Sequence, residues 1–93
     1  MQTFAIFRRS GWNSMAELEA AAGRSTKVGN EQMADEVRWI RSYVLGEKGG
    51  KVGTVCIYQA TNQAALEKHA KLAELPCDEI VPISDTVVIR PDP

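Results

Sequence analysis

Four stretches of the chain alternate apolar and polar residues with the two-residue period of a strand, and two others carry the longer period of a helix. "TFAIFRR" (residues 3–9) alternates and is rich in aromatic and branched residues. "GWNSMAE" follows, with Gly11 as punctuation and Ser14 to Glu17 as a capping box, so a helix is expected to start near Ser14. That helix turns Met15, Leu18, Ala21, Ala22 and Val28 toward a core, while Gly23 and Gly29 each cost about 1 kcal/mol relative to alanine and weaken its second half. "EVRWIRSYVLG" and "GKVGTVCIYQA" read as strands joined at "EKGG", whose Gly49-Gly50 pair signals an antiparallel hairpin.

"TNQAALEKHAKLAELP" starts at a Thr61 or Asn62 cap and stops by Pro76, with Leu66, His69, Ala70 and Ala73 on one face and Glu67 and Lys71 paired on the wet side. "DEIVPISDTVVIRP" is strand-like, and Pro82 assigns it to an edge or a bulge because proline cannot donate to a ladder. The predicted order is βαββαβ. In one domain spanning residues 1–93, this order implies an α+β, ferredoxin-like fold: a four-stranded antiparallel sheet with both helices on one face.

Strict alternation gives the sheet two distinct faces. Val55 and Ile57 suit the helix side, which sends Thr54, Cys56 and Tyr58 outward; by the same rule Ile40, Ser42 and Val44 go inward, with Trp39, Arg41 and Tyr43 outward. An outer face bearing Trp39, Tyr43, Cys56 and Tyr58 is too apolar to stand in water, so a homodimer enclosing a polar-aromatic pocket is expected. Its candidate ligand-binding residues are Trp39, Arg41, Tyr43, Cys56, Tyr58 and His69.

Charge narrows the partners. Eleven Lys and Arg are interspersed with twelve Asp and Glu for a net charge of −1, which argues against nucleic acid and anionic membranes. No apolar run approaches the roughly 20 residues of a membrane span, and the N-terminus lacks the pattern of a secretory signal, so a cytoplasmic location is expected. Cys56 and Cys77 have no C-x-x-C spacing and read as free thiols, Cys56 as a small strand residue and Cys77 as a turn residue after Pro76. The "EKGGKVG" loop matches neither phosphate-binding nor dinucleotide-binding glycine motifs.

The blocks "WIRSYV" at Trp39 to Val44, "CIYQA" at Cys56 to Ala60, "KHA" at Lys68 to Ala70 and "PCDEI" at Pro76 to Ile80 resemble, in order and spacing, a family of small bacterial ferredoxin-like proteins that includes a nickel-responsive, nickel-binding member. The resemblance covers roughly residues 37–83 and implies a homodimer similar to the dimeric α/β-barrel proteins. It also implies a divalent transition metal, nickel, as a cofactor. Family members commonly carry His where this chain has Arg41, and arginine is not a usual metal ligand. His69, the one imidazole, is then the candidate metal ligand.

His69 has two readings, a buried histidine satisfied by its neighbours and a pocket ligand or general base. Arg41 is either a surface or interface charge or a clamp for a ligand carboxylate or phosphate. Three functions stay open: a non-enzymatic dimer holding nickel or a small anionic or aromatic molecule; a cofactor-free isomerase, cyclase or monooxygenase in which His69 or Tyr43 moves a proton and Arg41 holds substrate charge; and a structural or regulatory dimer with a filled interface.

Overall fold

The chain begins in an eleven-residue strand, β1 (Gln2–Trp12), in which Phe4, Ile6 and Arg8 are all buried. In the computed structural model, which describes residues 1–92, β1 is followed by α1 (Met15–Glu31), β2 (Val37–Gly46), a single 3₁₀ turn (Lys48–Gly50), β3 (Val52–Ala60), α2 (Gln63–Leu72) and β4 (Glu79–Pro82). The sheet is antiparallel throughout and ordered β2-β3-β1-β4, with β4 on an edge as Pro82 requires. This is the expected βαββαβ fold.

Local chemistry fixes the helix ends. The Ser14 hydroxyl accepts the Glu17 amide at 3.3 Å, and the Glu17 carboxylate accepts the Asn13 amide at 2.9 Å. Despite its two glycines α1 continues to Glu31, because Ser25 and Val28 in its second half are buried under tertiary contacts that outweigh propensity; Met15, expected inward, is half exposed. Asn62 is the cap of α2, its Oδ1 accepting the Ala65 amide at 2.9 Å. At the other end the Leu75 amide reaches back to the Ala70 carbonyl at 2.8 Å while Glu74 takes the left-handed conformation (φ 56°), a Schellman turn that stops α2 and aims Leu75 and Pro76 at the sheet.

Strand register decides the faces, and it corrects the expectation from alternation. Trp39 pairs with Tyr58, but the next aligned pair is Arg41 with Ile57, so Ile40 is an extra residue in β2, a β-bulge. Beyond it, Ser42 pairs with Cys56 and Val44 with Thr54; across β1 the same rows continue to Phe4, Ile6 and Arg8. Trp39, Thr54, Cys56 and Tyr58 therefore lie on the helix side, and Val55, Ile57, Arg41 and Tyr43 on the outer side. Tyr58 and Cys56 join Phe4, Ile6, Val28 and Leu66 in the larger core cluster. A second, smaller cluster forms around Trp12, Leu18, Ala21 and Val52.

Residues 83–92 do not extend β4, contrary to the strand-like reading of the tail. After the Ile83 amide bonds to the Thr3 carbonyl at 2.9 Å, the chain crosses the outer face to β2, where the Asp92 carboxylate accepts from Tyr43 Oη at 2.6 Å and pairs with Arg41. Val87, Val88 and Ile89 are left exposed on this crossing.

A second irregularity, in β1, places Trp12. Arg8 pairs with Thr54 and Trp12 with Val52, so three residues of β1 stand opposite Gly53 alone. A Cβ at Gly53 would lie 2.7 Å from the Arg8 carbonyl oxygen and 2.7 Å from Glu47 Oε1. Gly53→Ala is therefore expected to shift the urea midpoint down by a loss of about 1–3 kcal/mol. An unchanged midpoint would mean that the backbone around Gly53 has room to yield.

Candidate functional site

Between α1 and the β2 side of the sheet lies a cleft of about 220 Å³. Leu18, Ala22 and Ser25 of α1 form its roof, Thr54, Cys56 and Tyr58 its floor, and Trp39, Ser42 and Val44 one wall. Arg8 and Trp12 close the other end. The bulge at Ile40 creates this composition: in an unbulged strand Trp39 and Ser42, three residues apart, could not both face the cleft.

The indole of Trp39 stacks on Tyr58 with centroids 5.9 Å apart and planes 3° from parallel, and its Nε1–H donates to Ser42 Oγ at 2.8 Å. Behind it, Tyr58 Oη and Ser25 Oγ share a buried hydrogen bond of 2.9 Å. Burial raises the Tyr58 pKa, against which the Ser25 bond and the Arg8 charge act in the opposite direction. The Cys56 thiol donates to Thr54 Oγ1 at 3.3 Å and is buried, the packed strand cysteine that its sequence context suggests.

His69 sits beneath Tyr58, ring centroids 5.5 Å apart. Its Nε2 lies 3.1 Å from the Ser25 carbonyl, an acceptor only, so Nε2 carries the hydrogen and Nδ1 is a buried lone pair with no partner. Burial lowers the His69 pKa, and the Arg8 charge lowers it further, against the Ser25 bond. A proton added at Nδ1 would be a second buried N–H without an acceptor.

Arg8 is a site residue that hydropathy alone does not single out. It is 1 % exposed, its Nη1 donates to the Pro76 carbonyl at 2.7 Å, and its Nη2 has no partner. A signal for it does exist: Arg8 shares the two-residue register of Phe4 and Ile6, which puts a guanidinium on the core face of β1. Of the candidates that the sequence suggests, the cleft takes Trp39, Cys56 and Tyr58, with His69 against the back of Tyr58. Arg41 and Tyr43 are on the other side of the sheet with Asp92, beside an outer groove of about 720 Å³. The expected single constellation is two, because one inserted residue reverses the strand's facing between Trp39 and Arg41. Within one chain, Arg41 and His69 therefore do not face a common pocket.

A family model described as "Nickel responsive protein SCO4226-like" matches residues 4–83. The chain belongs to this family. The crystal structure of SCO4226 from Streptomyces coelicolor A3(2) superposes with a TM-score of 0.70 over 91 % of this chain and 99 % of that one, at 14 % sequence identity, a likeness of fold. No curated protein matches the chain in sequence.

The family name raises nickel, and the donor set of this member tests it. Among the described residues, no group of three or more His, Cys, Asp or Glu could hold a metal ion. His69 offers a single nitrogen within reach of the Arg8 charge, and Arg41 offers none. One chain therefore does not fit a nickel centre. No helix among the described residues is long and apolar enough to cross a membrane.

The neutral state of His69 makes stability depend on pH. Its folded pKa lies below that of an unfolded histidine, near 6.5, so the stability it contributes is complete above about pH 6.5 and is lost as pH falls from there through the folded value. In urea titrations from pH 7.5 to pH 5, the native chain should lose stability faster than His69→Gln. Parallel losses would show that His69 does not carry this dependence.

Proposed function

We propose that this protein is a small-molecule-binding domain, not itself a catalyst, whose ligand enters the cleft between α1 and the β2 half of the sheet. The observation that carries the reading is the coincidence of a 220 Å³ cleft with buried polar groups at its inner end: the Arg8 guanidinium and the Tyr58–Ser25 hydroxyl pair. Trp39, Leu18 and Val44 supply apolar walls. The nickel attached to the family's name is not carried to this cleft, whose cationic residue and lack of clustered donors suit a different guest.

A second copy of the chain covers the outer face in this reading. Support comes from the exposed Ile40, Tyr43, Val87, Val88 and Ile89, a set of large apolar groups that one subunit leaves uncovered. Sedimentation equilibrium should give twice the chain mass; a single-chain mass at micromolar concentration would rule the dimer out.

The cleft itself is tested by filling it. Ala22 lines the cleft from α1, and Ala22→Phe places a ring in the space. In ligand-observed NMR with a library of single-ring fragments, the native protein should give binders that the folded Ala22→Phe variant loses. Fragments that bind both proteins equally would locate binding elsewhere and overturn the assignment.

A further inference from the structure

A buried arginine ordinarily has a carboxylate beside it, because an ion removed from water needs a counter-charge and full hydrogen bonding. Arg8 has neither: among the described residues it forms no ion pair, its Nη1 is engaged by a neutral carbonyl, and its Nη2 is unpartnered at 1 % exposure. The same side chain lines the cleft. Beside it in the lining are Tyr58 and Ser25, whose mutual hydrogen bond uses one hydroxyl hydrogen and leaves the other to donate. One N–H and one O–H at the inner end of an apolar cleft match the two oxygens of a carboxylate.

Size and charge narrow the class. A cavity of about 150 Å³ holds benzene, and drug-sized ligands occupy about 300 Å³ or more; 220 Å³ suits one ring with a short acidic arm. The Trp39 and Trp12 side chains favour a flat body. Glu19 also lines the cleft, and its negative charge disfavours a dianion such as a phosphate monoester.

Resting on the reading of the cleft as a ligand site, we propose that its ligand is a small, flat monocarboxylate whose anion is held by Arg8 Nη2 and the Tyr58–Ser25 hydroxyl pair. Arg8 then serves as the ligand's charge partner, and the ligand removes the cost of leaving that guanidinium unpaired.

Calorimetry with phenylacetate and its uncharged isostere phenylacetamide tests this. Phenylacetate should bind at least about tenfold more tightly, the increment of a charge-assisted contact away from water. Arg8→Met should erase that preference, and Glu19→Gln, remote from the core, should widen it. Arg8→Met removes an unpaired buried charge and should keep its fold; an Arg8 that served only to clamp Pro76 would lower stability on replacement and leave the ligand preference unchanged. Should Arg8→Met fail to fold, the Glu19→Gln comparison decides. Equal binding of both compounds, lost in Ala22→Phe, would overturn the carboxylate assignment and preserve the cleft. Binding of neither would overturn both.

Discussion

One inserted residue in β2 governs what this molecule presents on each side of its sheet. Side chains alternate with a period of two, so the bulge at Ile40 exchanges the faces of everything beyond it relative to Trp39. Trp39 stacks on Tyr58 and bonds to Ser42 on the helix side, while Arg41 and Tyr43 turn outward to Asp92. Were Ile40 paired in regular register instead of bulged, Trp39, Arg41 and Tyr43 would share one face and the cleft wall would be dismantled. Arg41, paired with Asp92 on the outer side, is solvated, whereas Arg8 of β1 is buried on the helix side.

The buried arginine is coupled to the C-terminal end of α2. The Schellman turn at Glu74 carries Pro76 to the guanidinium, and Arg24 of α1 braces the same turn by donating to the Ala73 carbonyl at 2.9 Å. Thus α1, α2 and β1 meet around a charge, with the Tyr58 and His69 rings packed against each other close by. An interior arrangement of this kind contributes little net stability by itself. Its cost is compensated by the apolar clusters on either side and, once the proposed ligand binds, by a carboxylate.

Much of the fold is legible in the chain. Alternation locates the strands, Ser14 and Asn62 the helix starts, Gly49-Gly50 the hairpin, and Pro82 the edge strand, because each is a local signal with a local cause. The faces of β3 are not legible in the same way. In "TVCIY" both alternating sets are apolar enough to be buried, and hydropathy favours Val55 and Ile57; the volume of Tyr58 and its contacts with Trp39, Ser25 and His69 decide for the other set. A bulge has no reliable local signature in "VRWIRSYV", so alternation leaves Trp39 on the side of Arg41 and Tyr43, whereas the bulge turns it to the helix side. Arg8 is readable from its register with Phe4 and Ile6, but hydropathy alone assigns a charge to solvent.

If the cleft is the binding site, Arg8 and not Arg41 meets the ligand. Side-chain Nε–Hε NMR spectra of the ¹⁵N-labelled protein, recorded as phenylacetate is added, separate the two arginines within one titration. The Arg8 resonance should move and saturate while that of Arg41 stays in place. Movement of the Arg41 resonance with an unchanged Arg8 would contradict this assignment and place recognition on the outer face.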